Sequence, residues 1–239
     1  MLVEWLGPLE YLRQVEPLGW KCAIAALWLV LVGLAAIVTQ VFTPPESELV
    51  RKVVHIGTGQ IILLAWWMAI PAWVGVGAAV FFSGVTVLSY RFPLLPRINN
   101  VGRKSWGTCF YAISIGILVA WFWPIGLPQY GALGILVMTW GDGLAGLIGR
   151  QWGRRKYQVW GGQKSWEGTA VMAIVSAIVA LCVLLPTAGN HPGTWLCGAV
   201  VGIAAAGLES FSKLGVDNLT VPIGSAAIAY GLVEYGLIQ

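Results

Sequence analysis

The run CAIAALWLVLVGLAAIVTQVF, residues 22–42, holds no charged side chain in twenty-one consecutive positions. As a helix rising about 1.5 Å per residue it is roughly 30 Å long, the thickness of bilayer hydrocarbon. A water-facing helix needs a polar stripe, and this run offers only Thr39 and Gln40 near its end, so it reads as a membrane span. The same pattern recurs over 53–70, 72–90, 106–123, 129–149, 168–186, 193–209 and 221–238. These runs predict an all-α, polytopic transmembrane helix bundle of seven or eight spans; the count is seven if the last segment is only re-entrant. Residues 1–20 are too polar to cross, and Trp5, Leu6, Leu9, Leu12 and Trp20 lay them along the interface. With no linker or low-complexity tract, 1–239 reads as a single integral membrane domain.

Composition agrees. Hydrophobic residues make up 58% and charged residues 10% of the chain, against about 25% charged in soluble domains; its mean hydropathy is +0.78. That deficit cannot clothe a water-facing surface. The formal charge of +4 is explained by basic residues flanking spans, and no aromatic-basic nucleic-acid motif accompanies it. Cys22, Cys109, Cys182 and Cys197 lie in or beside apolar runs without C-x-x-C spacing, as small packing residues do. The N-terminus lacks a signal-peptide pattern, and Glu4, Glu10 and Glu16 argue against a transit peptide, which points to a bacterial or an already trimmed protein.

Twelve of the fourteen Lys and Arg residues fall in alternate loops, around 51–52, 91–104, 150–164 and 213, while 70–72, 124–128 and 186–193 contain none. Positive residues stay cytoplasmic. This parity predicts eight spans, both termini outside, and a cytoplasmic face carrying every basic loop.

The polar residues gather on that face. Asp142 sits inside a span, in MTWGDGLAGLIG (138–149), and a carboxylate in a membrane is costly and usually marks a site. It shares a helix face with Ala145, Gly146 and Gly149, which lets a helix or a ligand approach the backbone. Arg150 follows, and then GGQKSWEGT (161–169), where Gly162, Lys164 and Ser165 supply backbone N–H groups, an ammonium and a helix N-terminus suited to phosphate. No Walker A spacing is present. Glu167 beside Lys164 reads either as a site carboxylate or as a surface pair. GRKSWGT (102–108) echoes this stretch, with Lys104 the counterpart of Lys164. Asp217 and Asn218 bear oxygens of the kind Mg²⁺ prefers, although an Asx turn explains them equally. Arg51 and His55 lie one helical turn apart at the start of a span; His55 reads as a packed histidine or as a ligand. His191 reads as an outer-loop residue. With cations and carboxylates on one face and no hydrolase triad or zinc spacing, phosphoryl transfer fits, since it demands charge neutralisation and positioning rather than a covalent nucleophile.

The stretches RKVVHIGTG (51–59), SYR with INNVGRKSWGT (89–108), MTWGDGLAGLIG (138–149), GQKSWEGT (162–169) and LESFSKLGVDNLTVP (208–222) together resemble the polyprenol kinase family, which includes dolichol kinase and is distantly similar to phosphatidate cytidylyltransferase. The resemblance runs from about Arg51 to Ala227. It implies phosphorylation of phytol to phytyl phosphate with CTP as donor (UTP being a further donor), Mg²⁺ as cofactor, and a place in phytol salvage for tocopherol synthesis in a cyanobacterial cell or thylakoid membrane. The motifs carry over to Asp142, Lys164, Glu167, Asp217 and Asn218. Charge and location assign Asp142 and Asp217 to the metal, Lys164 to phosphate, with Lys104, Arg150, Gly162, Ser165 and Asn218 around the nucleotide and Arg51 and His55 near the alcohol. Either Glu167 or His55 takes the hydroxyl proton. Gln163 departs from the family pattern, where Lys is frequent. Rival readings are a kinase for farnesol, geranylgeraniol or another polyprenol, a cytidylyltransferase, and a transporter or lipid-binding scaffold that buries Asp142.

Overall fold

A computed structural model describes residues 17–44, 47–92, 106–160 and 162–236. The expectations for residues 1–16 and for Lys104 lie outside the described residues. The chain runs through α1 (Leu18–Phe42), then α2 (Glu48–Gly59) and α3 (Ile61–Trp67), which make one span broken at Gln60. After α4 (Ala72–Arg91) and α5 (Gly107–Phe122) comes a composite span of α6 (Pro128–Leu136), a π-helical segment (Val137–Asp142) and α7 (Gly143–Trp152). A hairpin of β1 (Lys156–Val159) and β2 (Gly162–Ser165) leads to α8 (Trp166–Ala188), α9 (Pro192–Ser210) and α10 (Asp217–Glu234).

The fold is a helical membrane bundle. Among the described residues, six helices are long and apolar enough to cross a bilayer, and α5 is a shorter apolar helix of 16 residues. α10 packs against α5, α6 and α9 and so completes the bundle. Burial separates centre from rim: 67% of the most apolar window in Pro128–Trp152 is buried, against 6% in α1. A helix apolar all round belongs either in a protein core or in lipid; the composite span is the core, and α1 faces the acyl chains.

Small residues set the packing, as expected where lipid removes any hydrophobic drive between helices. A Cβ on Gly134 would meet the Pro222 carbonyl of α10, and one on Gly202 would lie 2.9 Å from Ala177 on α8. Thus α6 lies against α10, and α9 against α8, almost backbone to backbone.

Two local features depart from the sequence expectations. The basic loop after α7 contains an antiparallel hairpin with Lys156 opposite Ser165 and Val159 opposite Gly162. Trp160 at its turn has φ 51°, the left-handed conformation that two-residue hairpin turns require. Tyr157 anchors the hairpin to α8 and α9 through Thr169 (2.6 Å) and Ser210 (2.9 Å). Secondly, the last helix begins at Asp217 rather than at 221, because Pro222 sits inside its first turns instead of opening it. Before it, Gly215 adopts φ +88°, which only glycine enters freely, and turns the chain back toward the bundle.

Candidate active site

Asp142 is the first residue of the site to place. The π segment ends on it, and π turns are rare and concentrate at functional sites. Gly141 allows that segment to press on α8: a Cβ there would stand 2.6 Å from Ser176 Oγ and 2.8 Å from Met172 Sδ. On the other side a Cβ on Gly143 would stand 2.8 Å from Ile56 Cγ1, and one on Gly146 2.8 Å from Lys52 Cε and Nζ. α2 therefore lies close along α7, and Lys52 Nζ donates to Asp142 Oδ2 and to the Asp142 carbonyl, both at 2.8 Å. Lys52 is 3% exposed, so its charge is answered almost wholly by protein.

Asp142 does not stand alone among acids. Glu209 at the end of α9 and Asp217 at the start of α10 join it, and one oxygen from each of the three carboxylates lies within 4.8 Å of the others. Three carboxylates this close repel one another unless cations intervene. Lys52 supplies one, and Lys164 on β2 supplies the other, donating to Glu209 Oε1 at 2.6 Å and to the Glu209 carbonyl. Asn218 orients Asp217: its amide Nδ2 donates to Asp217 Oδ1 at 3.0 Å and to the Gly215 carbonyl at 3.2 Å. Oxygen-only donors at this spacing suit a hard divalent cation such as Mg²⁺.

These groups line a cavity of about 470 Å³. Among the described residues, six cationic side chains border it (Arg51, Lys52, Arg150, Lys156, Lys164, Lys213) against four carboxylates (Glu48, Asp142, Glu209, Asp217). The excess of two positive charges favours a polyanion. At its mouth Glu48, N-terminal on α2, accepts from Arg51 Nη2 and Arg150 Nη2, each at 2.6 Å, and so ties α2 to α7. Behind Asp142, His55 Nε2 lies 3.5 Å from Asp142 Oδ2 and its ring stacks on Tyr111 at 4.7 Å. Tyr111 in turn donates to the His55 carbonyl at 3.1 Å and meets Thr139 at 2.8 Å.

Of the residues singled out by sequence, Asp142, Arg51, Arg150, Gly162, Lys164, Ser165, Asp217 and Asn218 all border this cavity. Two are placed differently, and Ser165 takes the helix N-terminus that the sequence gives it. Glu167 does not reach it; its carboxylate accepts from the Arg155 backbone N–H at 3.1 and 3.3 Å, drawn there by the hairpin that brings 155 beside 166. Gly162 is not part of an open loop, since it pairs with Val159 in the hairpin. Ser165 is the N-cap of α8, accepting from Gly168 N at 3.1 Å. Lys52, Glu48 and Glu209 were not singled out, although each is an ionisable residue at or within a span, the very signal that picked out Asp142.

Fold and site define a helical membrane protein in which three carboxylates from separate helices meet in one polar cavity bordered by Lys52 and Lys164, a donor set suited to a divalent cation. Comparison with known proteins gives that class a family. The chain is 52% identical over 214 residues to a phytol kinase of Synechocystis sp., covering 90% of this chain and 92% of that one. It is 27% identical over 210 residues to a chloroplastic farnesol kinase of Arabidopsis thaliana (77% of this chain, 66% of that one). With a CTP-dependent diacylglycerol kinase of Schizosaccharomyces pombe it shares 26% identity over 212 residues (77% and 93%). The chain belongs to the phytol kinase family. No family model and no solved structure matches it.

Proposed function

We propose that this protein transfers the γ-phosphoryl group of CTP to the hydroxyl of phytol, releasing phytyl phosphate and CDP, at the cytoplasmic face of a cyanobacterial cell or thylakoid membrane. The observation that carries this reading is the meeting of Asp142, Glu209 and Asp217 within 4.8 Å in a cavity also bordered by Lys52 and Lys164. The phytol kinase of Synechocystis supports phytol as acceptor, and the CTP-dependent relative supports CTP as donor. In such a membrane the product feeds phytol salvage toward tocopherol.

Asp142, Glu209 and Asp217 would hold Mg²⁺, which when bound neutralises charge on the nucleotide phosphates and orients them. Lys164, Arg150 and Lys156 border the space the phosphate chain occupies and compensate its remaining charge, while Asn218 keeps Asp217 aimed inward. The alcohol oxygen bonds to the γ-phosphorus as the bond to the β–γ bridging oxygen breaks, and CDP departs with that electron pair. A loose transition state needs little activation of the nucleophile, so the hydroxyl proton leaves late, to Asp142 and on to His55 at 3.5 Å. Glu167, turned to Arg155, holds the start of the hairpin to the helix that follows it.

A second reading, phosphorylation of farnesol, geranylgeraniol or a longer polyprenol by the same chemistry, is favoured by the farnesol kinase relative. One assay separates the readings: membranes carrying the chain receive CTP labelled at the α- or γ-phosphorus with each alcohol. Label from the γ position entering phytyl phosphate is expected. Label from the α position entering lipid indicates a cytidylyltransferase, and no labelled lipid from any alcohol indicates a transporter or lipid-binding protein.

A further inference from the structure

On the opposite side of Lys52 from the polar cavity lies a second cavity of about 390 Å³ with an apolar wall, open along one side. Trp28 of α1 and Trp140 of the π segment flank it, and Val53, Ile56 and Leu147 line it between them. Lys52 borders both cavities. Trp28 Nε1 donates to the Gly57 carbonyl at 2.8 Å, which fastens α1 over the groove at one point. Val32 of the same helix presses on Gly57, and most of the remaining surface of α1 is exposed. The groove follows α2 from Leu49 to Gln60, roughly 16 Å at about 1.5 Å per residue.

Resting on the kinase reading above, we propose that this groove holds the isoprenoid chain of the acceptor alcohol and delivers its hydroxyl to the Lys52–Asp142 pair. A hydroxyl both donates and accepts. Lys52 joins the groove to the polar cavity, where its ammonium donates to the Asp142 carboxylate at 2.8 Å, so a hydroxyl that passes Lys52 finds both partners there. The apolar wall accepts a hydrocarbon chain and offers nothing to a charged headgroup. Because the groove opens along its side, the far end of a long chain continues into the bilayer. Selectivity therefore resides in the hydroxyl-proximal units, and chain length beyond them changes affinity little.

Val53→Trp and Leu147→Trp each fill the groove from residues that do not border the polar cavity. They are tested in membranes carrying the full chain, with phytol and with a short water-soluble prenyl alcohol of one isoprene unit. The expected result is a KM for phytol raised about tenfold, as losing burial of about two methylenes implies, with KM for CTP unchanged and KM for the short alcohol raised less than that for phytol. A phytol KM equal to wild type in both variants overturns the assignment, as does an equal fall in every parameter. A phytol analogue carrying a photoreactive diazirine in the first half of its chain gives an independent readout: labelling of the Val53–Ile56 and Trp140–Leu147 segments is expected, and labelling only elsewhere contradicts the proposal. A wild-type chain that phosphorylates no prenyl alcohol removes the kinase reading and this assignment with it. An active wild type with unaffected variants removes the groove alone.

Discussion

Lys52 and Asp142 are 90 residues apart in sequence, yet their side chains meet at 2.8 Å with only 4% and 16% of each exposed. The contact locks α2 against α7 at the edge of the polar cavity. Removing one partner of a buried ion pair strands the other charge, at a cost of about 3–5 kcal/mol.

Lys52→Met is accordingly expected to lower stability by about 3 kcal/mol and phosphorylation on the order of 10²-fold. The double variant with Asp142→Asn regains most of the stability and none of the activity. Thermal unfolding in detergent, read beside the CTP assay, checks both. A single variant as stable as the double one refutes the pairing argument.

Gly146→Ala probes the same contact from the backbone. Its new Cβ would stand 2.8 Å from Lys52 Cε and Nζ, the movable end of a long side chain, so the ammonium shifts and the fold survives. A drop in kcat of about tenfold, with unfolding temperature nearly unchanged, is the expected outcome. Gly141→Ala differs: its Cβ would meet Met172 and Ser176 at 2.6–3.1 Å inside the core, and overpacking there costs about 1–3 kcal/mol.

Lys164→Ala leaves Glu209 without the ammonium now 2.6 Å away and removes a positive charge from the phosphate space. Turnover is expected to fall about 10²–10³-fold, with Lys164→Arg recovering part of it. Steady-state kinetics against CTP checks this, and a variant within twofold of wild type would show that Lys164 is not at the nucleotide.

Glu167→Gln tests the opposite outcome. The carboxylate serves the Arg155 N–H rather than the cavity, and losing such a hydrogen bond costs about 1 kcal/mol. Activity is expected to stay within severalfold of wild type under conditions where Asp142→Asn is inactive. Equal loss in the two variants would return Glu167 to the reaction.

Hydropathy and loop charge made the bundle legible, because the bilayer imposes one length scale and one polarity on every span. Asp142, Lys164 and Asp217 were legible for a related reason: a charge in or beside a span needs an explanation. Lys52 obeyed the same rule but stood next to Arg51 in what looked like a topological basic pair, and only its meeting with Asp142 distinguishes the two. Glu209 was hidden likewise, as its partners Lys164 and Asp217 come from β2 and α10. The hairpin left little trace, its strands being four residues each within a basic loop. Glu167 was misleading because its spacing from Lys164 says nothing about side-chain direction once the strand gives way to a helix at Trp166.

The central claim is that Asp142, Glu209 and Asp217 form one metal centre. Electron paramagnetic resonance with Mn²⁺ in place of Mg²⁺, in the presence of CTP, measures this directly on the purified protein. The account predicts one bound Mn²⁺ per chain, lost in each of Asp142→Asn, Glu209→Gln and Asp217→Asn while the protein stays folded. Undiminished Mn²⁺ binding in all three variants would contradict it.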